Sequence, residues 1–127
     1  MKPMTTRVVV ADDVDELRWM LRAVLNTDER FEVVGEAATG PEVIRVVDLT
    51  HPDVVVLDVR MPELDGHEAA VHLADAAPDT RIVFLTSVRR DEVRLAKCVA
   101  SAPYVRKGAS VRTILDAVAR AARDEGP

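Results

Sequence analysis

Five times along this chain a short apolar, β-branched run gives way to a stretch with helical spacing, and no other feature constrains the fold as tightly. The first run, residues 7–11, reads Arg-Val-Val-Val-Ala. A strand so short and so apolar suits burial on both faces, as in a parallel sheet. Residues 14–26 follow, with Val14, Leu17, Leu21, Val24 and Leu25 at helical spacing. Residues 31–37 read as a second strand, and Gly40-Pro41-Glu42 opens a second helix with proline at a tolerated position. A third strand, 54–57, is pure Val and Leu and ends at Asp58. A helix over 66–76, a strand over 81–86, a helix over 91–100 and a short strand over 104–106 continue the pattern. Ser110 is the expected N-cap of a last helix whose stripe is Val111, Ile114, Leu115, Val118 and Ala122.

Strict β-α alternation implies a parallel sheet with helices on both faces. Right-handed crossovers leave few topologies, and the expected one is the α/β, doubly wound, flavodoxin-like sheet of five strands in the order 2-1-3-4-5. The length, 127 residues, suits one domain, expected over residues 1–122 with 123–127 as a tail or the start of a linker. Aromatics are only 3%, so the core must be built from Val, Leu, Ile and Ala. The net charge of −5 argues against a nucleic-acid surface on this chain. The N-terminal segment has neither signal-peptide nor membrane-span character. Cys98 is the only cysteine, which fits a reducing cytoplasm. Its place in a helical pattern makes it a packing residue rather than a reactive thiol.

In such a fold the ligand crevice lies beyond the carboxyl ends of the strands, where the winding reverses. Strand one ends in Asp12-Asp13, strand three in Asp58, strand four in Thr86, and strand five just before Lys107. Three carboxylates brought together repel one another, and a divalent cation relieves that repulsion. Magnesium suits such a site, since it takes oxygen ligands from few carboxylates and keeps several waters. A carboxylate can also act as a nucleophile and form an aspartyl phosphate. Phosphoryl transfer then asks mainly for positioning and charge stabilisation.

These residues resemble a bacterial response-regulator receiver over nearly the whole chain. The likeness rests on Asp12-Asp13, on the stretch Asp58-Val59-Arg60-Met61-Pro62-Glu63-Leu64-Asp65-Gly66, on Thr86-Ser87, and on Tyr104 three residues before Lys107. The resemblance implies that Asp58 accepts a phosphoryl group from a phosphohistidine on a sensor histidine kinase. It implies Mg2+ bound by Asp13 and Asp58 with the backbone carbonyl of Arg60, Asp12 acting through water. It implies that Lys107 pairs with the phosphoryl oxygens and that Thr86 and Tyr104 carry the change outward. Where many receivers have proline after the lysine, this chain has Lys107-Gly108-Ala109-Ser110, similar to receivers of the NarL/LuxR type with a helix-turn-helix output domain. Ser101-Ala102-Pro103 stands where relatives usually have glycines. The resemblance further implies a cytoplasmic switch without a membrane partner, open to homodimerisation, reaching DNA only through an output domain outside this chain.

Each residue also has a plainer explanation. Asp12-Asp13 could cap the first helix, since acids favour that end. Asp58 and Asp65-Gly66 could be turn chemistry, Thr86 a strand-end hydroxyl, and Lys107 a solvated charge. Their coincidence at one sheet edge is what those explanations miss. The histidines have no metal spacing, and His67 and His72 do not share a helix face. Trp19 falls nearly opposite the first helix's apolar stripe and is a candidate contact residue for a partner or second copy. Asp13-Val14-Asp15 imitates a haloacid-dehalogenase-type phosphatase, but few acids follow Lys107. A flavin carrier would need Ser, Thr and Gly after strand one, where this chain has acids. A stand-alone receiver acting by protein–protein binding is the alternative output, and a degenerate receiver conflicts with the full residue set.

Overall fold

The computed structural model describes residues 5–123. Five parallel strands, β1 (Thr6–Ala11), β2 (Phe31–Ala37), β3 (Val54–Leu57), β4 (Arg81–Thr86) and β5 (Tyr104–Arg106), form one sheet in the order 2-1-3-4-5. Four helices, α1 (Asp15–Asn26), α2 (Gly40–Thr50), α3 (Gly66–Ala76) and α4 (Val111–Ala122), cover it. Because strand side chains alternate in direction, successive residues of β1 serve opposite faces. Val9 and Ala11 join a core with Val43 and Val47 of α2 and Leu73 of α3. Val8 and Val10 join the other core, with Leu21 and Leu25 of α1 and Ile114 and Val118 of α4. All four residues of β3 are buried, as its unbroken apolar run requires.

Helix starts follow the side chains available to cap them. The Thr39 hydroxyl accepts from the Glu42 amide at 3.2 Å and the Asp65 carboxylate from the Glu68 amide at 2.8 Å. The Ser110 hydroxyl accepts from the Thr113 amide at 3.1 Å, as expected of the last N-cap. Pro103 does not disturb strand five. It sits at the entry to an edge strand, where its missing N–H costs no ladder bond, and its carbonyl accepts from Phe84 N at 2.8 Å.

The helix expected over 91–100 does not form. In its place are two 3-10 turns, Arg90–Glu92 and Lys97–Val99, joined by extended chain. A helix there would carry Val93, Leu95, Ala96, Cys98 and Val99 around its circumference and bury no single face, and a short helix without a buried face has little to hold it. In the extended path Val99 is buried while Val93, Leu95 and Ala96 pack partly against the α2/α3 core. Cys98 is exposed, contrary to the packing role expected of it. Val14 and Val111 also leave their predicted stripes, since Val14 is the extended N-cap before α1 and Val111 the first residue of α4, and both are exposed.

Candidate functional site

Parallel strands deliver their ends to one edge. Ala11 of β1 and Leu57 of β3 are register partners, so Asp12 and Asp58, each one residue further, emerge side by side. Asp58 N donates to Ala11 O at 3.1 Å, which fixes that alignment, and Lys107 N donates to Thr86 O at 2.9 Å at the end of β5. Carboxylate oxygens of Asp12, Asp13 and Asp58 all lie within 4.8 Å of one another. Asp12 and Asp58 are buried, at 1% and 4% exposure, and Asp13 is exposed.

Lys107 Nζ stands between the two buried acids, 2.7 Å from Asp58 Oδ2 and 2.8 Å from Asp12 Oδ2. The lysine is therefore not the solvated strand-end charge considered above, and its side chain is only 18% exposed. Burial pulls the Lys107 ammonium down, but the hydrogen bonds to Asp12 and Asp58 outweigh that and leave its pKa above the ordinary lysine value. The remaining oxygens of the two acids accept backbone amides: Asp12 Oδ1 from Val14 N at 2.8 Å, and Asp58 Oδ1 from Arg60 N at 3.1 Å. So Asp12 turns the chain just ahead of α1, whose N-cap Val14 has no side-chain cap bond, and also belongs to the acidic cluster. Asp13 has no hydrogen-bond or ion-pair partner among the described residues.

Three carboxylates and one ammonium leave the cluster with excess negative charge, and an oxygen-only donor set with one open, unpartnered carboxylate is what a hard divalent cation takes. The residues present fit Mg2+, with Asp12, Asp13 and Asp58 as the groups to hold it.

Thr86 and Tyr104 meet at one residue. Thr86 is wholly buried, and its hydroxyl accepts from Val88 N at 3.3 Å, while the Tyr104 hydroxyl donates to Val88 O at 2.6 Å. The Tyr104 ring lies 5.9 Å from that of Phe84, with the Arg90 guanidinium 5.8 Å from its centroid. Burial raises the Tyr104 phenol above its usual pKa. Val88, unremarkable in the sequence, is thus the shared partner of both expected switch residues.

Three further residues were not legible as site residues. Gly66 looks like turn glycine, yet a Cβ there would fall 1.7 Å from the carbonyl oxygen of Asp58. Its amide donates to Val59 O at 2.7 Å, which pins the loop after Asp58. Gly40 at the start of α2 is likewise a close approach, where a Cβ would lie 1.9 Å from Leu64 O of the same loop. His67, given no role by spacing, accepts the Ala96 amide on Nε2 at 3.0 Å and ties α3 to the irregular segment. Close backbone approach leaves no mark in a single sequence beyond the glycine itself. Glu63, in the same loop, holds φ +69°, a region that disfavours side chains.

The described helices include none long and apolar enough to cross a membrane. Trp19 is 56% exposed, next to the exposed Met20, as its position opposite the stripe implies.

The chain is similar to YxjL of Bacillus subtilis (strain 168), an uncharacterized transcriptional regulatory protein, at 38% identity over 120 residues, covering 94% of this chain and 55% of that protein. It is 34% identical over 123 residues to the response regulator protein VraR of Staphylococcus aureus (strain NCTC 8325 / PS 47), covering 96% of this chain and 59% of that protein. The chain thus spans a little over half the length of these two curated relatives. Among solved structures, the signal receiver domain of the putative response regulator NarL from Mycobacterium tuberculosis superposes with a TM-score of 0.87 at 26% identity, covering 97% of this chain and all of that one. A family model for the response regulator receiver domain matches residues 8–119. That span takes in every strand end from Asp12 to Lys107, and this chain belongs to the response regulator receiver domain family.

Proposed function

We propose that this chain is a phosphorylation-controlled switch of a two-component system in which Asp58 is the acceptor, with Mg2+ held by Asp13 and Asp58, the backbone carbonyl of Arg60 and, through water, Asp12. The observation that carries this is the cluster itself, with Lys107 Nζ 2.7 Å from one oxygen of a buried aspartate at the family's acceptor position. The donor would be a phosphohistidine on a sensor histidine kinase. An Asp58 oxygen attacks phosphorus, the O–P bond forms as the N–P bond breaks, and the imidazole leaves with the electron pair. Bound magnesium supplies charge neutralisation for the incoming phosphoryl oxygens. Lys107, already beside Asp58, passes from the carboxylate pair to those oxygens. Burial of Asp58 limits water at the acceptor.

The response would start at Thr86. Drawn toward a phosphoryl oxygen, its hydroxyl gives up the Val88 amide, and the strain passes through Val88 to the Tyr104 hydroxyl on the same residue. Residues 88–106 are the segment this loosens. The receiver unit spans 1–122, with 123–127 as tail or linker; residues 1–4 and 124–127 lie outside the described residues. Relatives named as transcriptional regulators support a cytoplasmic protein acting on DNA through a further domain. Self-association or a kinase contact would use exposed positions such as Trp19.

The test weighs the protein after incubation with a small phosphoryl donor, with and without Mg2+. Added phosphate mass that needs the metal and is abolished in Asp58→Asn is expected. Equally fast phosphorylation of Asp58→Asn would place the acceptor elsewhere.

A further inference from the structure

We infer that Arg18 is a positioning residue for the magnesium site, acting by holding the peptide plane between Asp12 and Asp13; this rests on the magnesium-dependent function proposed above. Asp13 has no side-chain partner among the described residues, so only its backbone position limits where its carboxylate can reach. Two successive peptides are pinned there. The Ala11–Asp12 peptide donates its N–H to Ala37 O of β2 at 3.0 Å. The Asp12–Asp13 peptide offers its carbonyl to Arg18 Nη1 at 2.8 Å.

Arg18 is itself fixed on every side. Nε donates to Glu36 Oε1 at 3.1 Å and Nη2 to Asp15 Oδ1 at 2.7 Å, while Arg22 holds the second Glu36 oxygen at 2.8 Å. Its side chain is only 12% exposed. Burial pulls the guanidinium pKa down, and the hydrogen bonds to Asp15 and Glu36 more than restore it, so the charge persists at any working pH. A planar, multiply anchored guanidinium fixes a carbonyl where a flexible ammonium would not. Outer contacts of this kind orient metal ligands without touching the ion.

The sign of the effect separates positioning from charge. Arg18→Ala removes a cation near an acidic cluster, which by electrostatics alone would tighten Mg2+ binding. Loss of positioning weakens it. Arg22→Ala removes the same charge from the same network without touching Asp12, and serves as the matched control.

Mg2+ alone is titrated calorimetrically into the native chain, Arg18→Ala, Arg18→Lys and Arg22→Ala, with urea unfolding in metal-free buffer alongside. Arg18→Ala is expected to raise the Mg2+ dissociation constant by about 10-fold, with Arg18→Lys in between and Arg22→Ala unchanged or tighter. Unchanged or tighter binding by Arg18→Ala, or equal weakening by Arg22→Ala, overturns the inference. If Arg18→Ala does not fold, Arg18→Lys decides, and native affinity in that variant overturns it. A native chain that binds no Mg2+ would instead sink the proposed function, and this inference with it.

Discussion

Gly66→Ala sets two effects of opposite sign against each other. Gly66 opens α3, where alanine is favoured over glycine by as much as about 1 kcal/mol on helix propensity. The added methyl would lie 1.7 Å from Asp58 O, 2.7 Å from Asp58 C and 3.0 Å from Val59 Cα. All three are backbone atoms of Asp58 and Val59, so no flexible side chain can move aside. Reaching even 3.0 Å from the carbonyl oxygen needs a shift of at least 1.3 Å. That shift breaks the 2.7 Å bond from Gly66 N to Val59 O, worth about 1 kcal/mol, in addition to an overpacking cost of about 1–3 kcal/mol. The net expectation is destabilisation by about 1–3 kcal/mol, since the steric terms outweigh propensity. If Asp58 is the acceptor as proposed, a displacement of this size there should also slow phosphorylation by a small donor by about 100-fold. Urea unfolding gives the first quantity and intact mass against time gives the second. A variant as stable as the native chain or more so, phosphorylated at the native rate, would refute the steric account of this loop.

Lys107→Ala leaves Asp12 and Asp58 buried without their cation, and should lower stability in metal-free buffer by about 3–5 kcal/mol. Mg2+ should restore part of that loss; urea midpoints unaffected by the substitution would show that the pair contributes nothing. Glu63→Gly relieves a side chain held at φ +69° and should raise stability by up to about 1 kcal/mol, offset in part by backbone entropy. A lowered urea midpoint would mean that the Glu63 side chain makes up for its strained backbone.

The sheet was legible because its signal is local. The apolar run Val54–Leu57 has no alternative to burial on both faces, and the residues after each run reach one edge by topology alone. Asp12, Asp58, Thr86 and Lys107 were therefore placed by counting strand ends. Arg18, Gly66 and Val88 were not, because their importance lies in what approaches them across the fold. Residues 91–100 misled for a different reason. Glu92, Arg94, Leu95, Ala96 and Lys97 are good helix formers, but local propensity is weak beside packing, and the core accepts Val99 and a partial share of its neighbours instead.

The segment between β4 and β5 differs from a helix in how much free energy holds its shape. A helical turn is cooperative, and rearranging it means losing several backbone bonds together. Residues 88–103 are held instead by the burial of Val99, the partial packing of Val93, Leu95 and Ala96, and separate tethers: Thr86 and Tyr104 on Val88, His67 on Ala96, and the two 3-10 turns. Each such bond contributes only about 1 kcal/mol, whereas a new hydrogen bond to a charged group contributes about 1.5–3 kcal/mol. One added phosphoryl group would therefore be on the same energetic scale as any one of these tethers. On the proposed function, a single modification at Asp58 would act on these tethers without unfolding anything the sheet depends on.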